Sequence, residues 1–173
     1  MGLCQMEASV SVLEQMITAR LATIDDIPVL IELYRELERE MLDLHTMWPL
    51  ADGLPEPVDD AFETALADED SLVILGMVSG YPFGFLLARV ESLLPQAKGE
   101  RIGSVRLVFV ELEARQVSVG EAMRDLALDI LRERGISKFD AHVLPGHRLA
   151  KNFFEAGGFS ARSIVMHHDD NRE

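Results

Sequence analysis

The feature that most constrains this chain is a strand, a tight turn and a helix that follow one another from Val105 to Gly135. Residues 105–112 are rich in Val, Leu and Phe, which is typical of a buried strand. From about 119 to 134 the apolar residues recur at helical spacing, and Gly135 is suited to end the helix. A turn that enters a helix directs free backbone N–H groups and a partial positive charge at one point. That point favours an anion such as phosphate.

The turn itself, residues 115–120, has the sequence Arg-Gln-Val-Ser-Val-Gly. It resembles the Arg/Gln-x-x-Gly-x-Gly/Ala signature of the GCN5-related N-acetyltransferases. The resemblance implies that the turn binds the pyrophosphate of acetyl-CoA, the acyl-donor substrate. It also implies that the strand end at Val110 and Leu112 pairs with the pantetheine arm. The residues of the turn that this assigns to acetyl-CoA binding are Arg115, Gln116, Val117, Ser118, Val119 and Gly120.

Residues 142–159 resemble the second motif of the same family, a strand followed by a helix that ends in Tyr-x-x-x-Gly-Phe. Here the motif ends in Gly158-Phe159, and Phe154 stands where the family usually has the tyrosine. That tyrosine protonates the departing thiolate in the family, which a phenylalanine cannot do. Phe154 is therefore expected to keep only the ring against the cofactor. Water or His147 then protonates the thiolate, or transfer has been lost.

Two residues of the turn depart from the family signature. Ser118 replaces its first glycine, and Glu121 stands where the family often has a basic residue. Ser118 and Glu121 also have the spacing of a capping box, which would occupy helix N–H groups without any ligand. The turn therefore predicts either a weak phosphate site or a capped helix.

Acetyl transfer to an amine requires a positioned thioester, loss of an amine proton and a proton for the thiolate. The resemblance implies that the thioester lies where two parallel strands separate, by position at 110–112 and 142–144. For proton removal the chain offers Glu111, Glu113, His142 and His147. Of these we select Glu111, after the central strand, and His147, at the start of the last helix, because both stand near the predicted site.

The whole chain predicts one α/β domain over 16–173, preceded by a leader at 1–15. The expected fold is GNAT-like: a mixed, mostly antiparallel sheet with a central parallel crossover and helices on both faces. A doubly wound dinucleotide fold is disfavoured because it requires a Gly-rich turn after the first strand.

Trp48, in the loop 45–57, either lines an acceptor pocket, as the resemblance implies, or covers the core. The strands are expected at 16–22, 71–78, 81–90, 101–112, 137–143 and 159–168, and the helices at about 24–44, 58–67, 119–134 and 147–156. The Ser79-Gly80 pair predicts an antiparallel hairpin between the second and third strands, and Gly157-Gly158 is expected to end the last helix. The charged residues of the first helix, which include Glu36 and Glu40, are expected on a solvated face.

Charge and cysteine usage limit the partners. The chain has 16 basic and 30 acidic residues, a formal net charge of −14. That charge disfavours nucleic acid and anionic membrane and suits a cationic acceptor. The single cysteine, Cys4, allows no internal disulfide, and the start of the chain lacks the basic residues of a signal peptide, so we expect a cytoplasmic protein. We predict no metal, because the adjacent His167 and His168 would face opposite sides of a strand.

The predicted function is that of an N-acetyltransferase that moves an acetyl or short acyl group from acetyl-CoA to an amine of a small molecule or peptide. One alternative is a non-catalytic acyl-CoA-binding or sensor domain of the same fold. Another is a structural or dimerising domain without a nucleotide site. Fold resemblance alone does not separate them, and the sequence leaves a homodimer open.

Overall fold

The computed structural model describes residues 16–170. The chain divides into two compact units, Met1–His142 and Val143–Glu173. The predicted leader, residues 1–15, lies outside the described range.

The first unit contains a five-stranded sheet with the strand order β1-β2-β3-β4-β5. The first four strands pair antiparallel in succession, and β5 pairs parallel to β4. The predicted mixed sheet with one parallel crossover is confirmed. The strands are β1 (Ile17–Leu21), β2 (Ser71–Val78), β3 (Tyr81–Ser92), β4 (Arg101–Val110) and β5 (Phe139–Ala141).

The hairpin between β2 and β3 turns through two residues, Ser79 and Gly80, as predicted. Both have positive φ, +50° at Ser79 and +84° at Gly80. Two successive left-handed residues match the right-handed twist of the flanking strands, which is why such turns favour glycine.

One face of the sheet is covered by helices from the first half of the chain, α1 (Ile27–Leu44), α2 (Trp48–Ala51) and α3 (Val58–Ala67). An aromatic cluster joins them to the sheet: Phe62 of α3 packs edge-on to Phe85 of β3 at 5.9 Å and to Tyr34 of α1 at 6.3 Å. Trp48 is buried against Tyr34, with ring centroids 6.3 Å apart. Trp48 therefore covers the core, the second of its two predicted roles.

The crossover helix α4 (Val119–Glu133) covers the opposite face. A Cβ on Gly76 of β2 would lie 2.4 Å from Cγ1 of Val119 and 2.9 Å from Sδ of Met123. Only glycine lets α4 approach the sheet this closely. Helices on both faces are thus confirmed.

The second unit contains α5 (Arg148–Ala156), which ends at the predicted Gly157-Gly158. The predicted last strand at 159–168 is wrong, because these residues have no strand structure. Ile164, Val165 and Met166 are all exposed, at 73%, 88% and 88%. Three consecutive apolar residues do not define one inward face, and a strand needs a hydrogen-bonding partner that local sequence cannot supply.

The end of β4 and the start of β5 also differ from the prediction. β4 stops at Val110, because residues 112–114 form a 3₁₀ turn that buries Ala114. β5 begins at Phe139 rather than 137, because the preceding residues complete the end of α4. Gly135 has φ +78°, and the N–H of Ile136 donates to the carbonyl of Leu131 at 3.0 Å.

Candidate active site

The pairing between β4 and β5 in the first unit ends part-way along β4, and the unpaired stretch of β4 beyond that point is called the gap. The two strands pair only from Gly103–Phe139 to Val105–Ala141, and the last hydrogen bond joins the N–H of His142 to the carbonyl of Val105 at 3.0 Å. Beyond this point β4 continues to Val110, and within 16–170 no strand pairs with that edge of it. A free strand edge offers alternating N–H and C=O groups to an extended ligand that carries amides.

The free edge leads to the N-terminus of α4. Helix α4 begins at Val119, and its first N–H groups have no partner inside the helix. Ser118 holds the left-handed conformation, with φ +63°, and its side chain makes no capping hydrogen bond. The capping box expected from Ser118 and Glu121 is therefore wrong. In the left-handed conformation the Ser118 side chain does not bond back to the helix, so these N–H groups stay available to an anion.

The residues of the turn play different parts. Val119 is fully buried against the sheet, whereas Gln116, Val117 and Ser118 are exposed at the start of the helix. Gly120 lies in the first turn of α4. Leu112 is 73% exposed in the 3₁₀ turn, so of the two predicted strand-end residues only Val110 belongs to β4.

Arg115 is engaged within the protein. Its Nε donates to the carbonyl of Val110 at 2.8 Å, its Nη2 pairs with the carboxylate of Glu40 on α1, and its guanidinium lies 5.6 Å from the centre of the Phe109 ring. The sequence assigned Arg115 to acetyl-CoA. In the structure it fixes the end of β4 to α1, and its three contacts leave it little freedom to turn toward a phosphate.

A cleft of about 540 Å³ lies between α1 and the end of β4. Its charged lining consists of four glutamates and two arginines: Glu36, Glu40, Glu111, Glu113, Arg39 and Arg115. Carboxylates therefore outnumber cations around this cleft, which favours a positively charged ligand.

The carboxyl group of Glu111 has a perturbed pKa. Partial burial raises the pKa of Glu111 above the ordinary value for a glutamate. The neighbouring carboxylates of Glu36, Glu113 and Glu32 raise the pKa further. A carboxylate in a cleft is a better proton acceptor when its pKa is raised, which suits Glu111 to the role of a general base.

His147 and Phe154 lie in the second unit. His147 is the N-cap residue of α5. Phe154 is 3% exposed and packs against Phe153 at 4.9 Å and Phe159 at 5.3 Å. Within its own unit Phe154 is thus a core ring.

Two parts of the site were not predicted from the sequence. The charge pattern of α1 predicts Glu36 and Glu40 on its solvated face, yet they line the cleft beside Glu111. Their spacing of four residues was a signal, but only the packing of α1 on the sheet shows what they face. The second part is Arg106, which lies where the pairing between β4 and β5 ends. A charged residue inside an apolar strand was a sequence signal for it.

None of the helices within 16–170 is long and apolar enough to cross a membrane. The same residues contain no group of three or more His, Cys, Asp or Glu side chains arranged to hold a metal ion.

The family comparison agrees with this geometry. The model of the acetyltransferase (GNAT) family matches residues 29–159, which include the free edge of β4, the turn and α5. The chain belongs to the GNAT acetyltransferase family. A search of curated proteins gives no match.

Solved structures of similar fold cover almost the whole chain. A transcriptional regulator from Bacillus halodurans has a TM-score of 0.70 at 21% identity, over 88% of this chain and 99% of its own. An aminoglycoside acetyltransferase from an uncultured soil metagenomic sample has a TM-score of 0.69 at 13% identity, over 93% and 99%. A ribosomal-protein-alanine N-acetyltransferase from Brucella melitensis has a TM-score of 0.63 at 20% identity, over 88% and 99%. Because the identities are only 13–21%, these similarities show that the fold is shared and nothing more.

Proposed function

We propose that this protein is a cytoplasmic N-acetyltransferase that moves an acetyl or short acyl group from acetyl-CoA to an amine of a small molecule or peptide. The observation that carries the proposal is the free edge of β4, which leads directly to the N-terminus of α4. The amides of the pantetheine arm pair with the edge, and the pyrophosphate meets the N–H groups at Val119 and Gly120.

The acceptor is a cationic amine. The acidic cleft at the end of β4 and the net charge of −14 both attract an ammonium group. Two structural neighbours are named for acetylating aminoglycosides and a ribosomal-protein alanine, and both names fit an amine acceptor. At 13% and 20% identity these neighbours support an amine as the acceptor and do not identify which amine.

The reaction forms one bond and breaks one. The ammonium group first loses a proton, which reaches the Glu111 carboxylate through intervening waters or through the acceptor. The free amine then attacks the thioester carbonyl, the new C–N bond forms and the C–S bond breaks. The thiolate leaves and takes a proton from water, while the nitrogen of the new amide releases its second proton to water. The products are the amide, the CoA thiol and one proton in solution. Glu111 releases its proton to solvent and is ready again.

The test compares two neighbouring glutamates of the cleft. Glu111→Gln removes the proposed base and is expected to lower kcat about a hundred- to ten-thousand-fold, the usual range for general catalysis. Glu113→Gln removes the same charge from the exposed rim and is expected mainly to raise KM for the amine a few-fold. Equal effects of the two variants on kcat would show that Glu111 contributes only its charge.

A non-catalytic acyl-CoA-binding domain is the second candidate. The observation in its favour is Phe154, a buried ring without a hydroxyl group. Calorimetry with acetyl-CoA, combined with a thiol-release assay over a panel of amines, separates the two. Binding without amine-dependent thiol release would favour the second candidate.

A further inference from the structure

The closed end of the gap between β4 and β5 is marked by two side chains that the proposed reaction has not used. Val105 pairs with Ala88 of β3 and Leu107 pairs with Leu87, so Arg106 is an extra residue in β4. Such a bulge redirects a side chain and ends regular pairing. His142 follows β5 and makes its last hydrogen bond to β4.

Arg106 and His142 meet at this point. Nη1 of Arg106 lies 3.4 Å from Nε2 of His142 and 3.5 Å from Oε1 of Glu91 on β3. A guanidinium group has donors and no acceptor, so Nε2 of His142 must supply the lone pair. The ring proton of neutral His142 then belongs on Nδ1. Arg106, held by Glu91, thus selects one tautomer of the ring.

The charges around the ring favour its neutral form. Partial desolvation lowers the pKa of His142, and the guanidinium of Arg106 lowers it further. The carboxylates that face the ring, Glu91 of β3, Asp140 of β5 and Asp52 of the α2–α3 loop, act in the opposite direction and do not reverse the shift. The lowered pKa favours the neutral ring of His142 at pH 7, and the residue is exposed to solvent.

We propose that His142 is a fixed hydrogen-bond donor of the acyl-transfer site, with its Nδ1–H directed at the carbonyl oxygen of the bound acyl group. Arg106 is the positioning residue that holds the ring in this tautomer. The inference rests on the proposed function, because it requires the thioester to lie at the closed end of the gap. A preorganised neutral donor stabilises the negative charge that develops on the carbonyl oxygen when the amine attacks.

This arrangement separates two roles along β4. Arg106 and Glu111 are five residues apart, about 16 Å at the rise of a β-strand. One group cannot touch both His142 and Glu111. The carbonyl is polarised at His142, and the amine proton reaches Glu111 through water or through the acceptor. Substitutions at His142 and at Glu111 are therefore expected to change different kinetic constants, or different sides of the pH–rate profile.

The first test is nitrogen-15 NMR of the histidine ring, which reports the tautomer without any turnover. Wild-type His142 is expected as the Nδ1–H tautomer at pH 7, and Arg106→Gln is expected to abolish that preference. Acetyl-CoA is expected to shift the Nδ1–H resonance downfield, and CoA, which lacks the carbonyl, is not. An Nε2–H tautomer, or equal shifts with acetyl-CoA and CoA, would overturn the proposal.

The second test uses two amide side chains of different length. The amide nitrogen of Asn lies near the position of Nδ1, and that of Gln lies near Nε2. His142→Asn is expected to keep kcat within a few-fold, whereas His142→Gln is expected to lose about a hundredfold, as when one preorganised donor is removed. KM for acetyl-CoA stays unchanged in both. Equal kcat values for the two variants would contradict a donor at Nδ1.

The two tests also separate this inference from the proposed function. If no amine supports thiol release but the acetyl-CoA shift at Nδ1–H is present, the proposed transfer fails and the donor role of His142 stands. If transfer occurs and the shift is absent, the protein is an acetyltransferase and His142 is not its donor.

Discussion

Replacing Ser118 with glycine tests the geometry of the turn. Ser118 is held at φ +63°, where an L-residue with a Cβ is strained by about 1 kcal/mol or more. Glycine relieves this strain but loses more conformational entropy on folding, which costs about 0.5–1 kcal/mol. We expect a net gain of about 0.5–1 kcal/mol in the free energy of unfolding, since the strain is usually the larger of the two. For a chain of this size the melting temperature rises by about 1–4 °C.

The assay combines urea unfolding with calorimetric titration of CoA. Ser79→Gly is the matched control, because Ser79 has φ +50° in the β2–β3 hairpin, away from the turn. Both variants are expected to gain stability, and only Ser118→Gly is expected to bind CoA more tightly, because loss of the exposed side chain lets a phosphate approach the available N–H groups of α4 more closely. A loss of stability in Ser118→Gly, or equal CoA affinity in the two variants, would refute the reasoning.

Three further substitutions test other parts of the account. Glu121→Gln removes an exposed carboxylate from the first turn of α4 and is expected to tighten CoA binding by a few tenths to about 1 kcal/mol in calorimetry; an unchanged affinity would place the phosphates elsewhere. Phe154→Tyr is expected to raise the acetylation rate, and its buried hydroxyl to lower stability by about 1–3 kcal/mol; a folded, CoA-binding variant with no gain in rate would leave Phe154 as a core ring only. Asp26→Asn breaks the double hydrogen bond with Arg20, which holds the pKa of Asp26 well below its ordinary value. Because that pKa is depressed, the stabilisation exists above about pH 4 and disappears as the pH falls. The variant should therefore lose about 0.5–1 kcal/mol at pH 7 and little at low pH, whereas Asp25→Asn should lose little at either.

The sequence predicted most of the fold because its signals are local. Apolar periodicity placed α1, α3 and α4, and the Ser79-Gly80 pair placed the hairpin. The last strand failed because its evidence was a short apolar run without a partner. Strand pairing is a long-range property, and three adjacent apolar residues near 164–166 are compatible with several structures.

The sequence predicted only those parts of the candidate site whose residues are neighbours along the chain. Residues 110–120 form one continuous stretch, so their proximity to the helix N-terminus followed from the motif alone. The engagement of Arg115 by Glu40 and the contact between Arg106 and His142 join residues 75 and 36 positions apart. Such contacts depend on how helices and strands pack, and no local pattern reports them.

The measurement that tests the central claim most directly is release of free CoA thiol from acetyl-CoA across a panel of cationic and neutral amines. The account predicts release only when acetyl-CoA and a cationic amine are both present. It also predicts loss of release in Gly120→Asp, which places a carboxylate at the N-terminus of α4, while the melting temperature holds. No release with any amine from folded, acetyl-CoA-binding protein would contradict the account, as would undiminished release from Gly120→Asp.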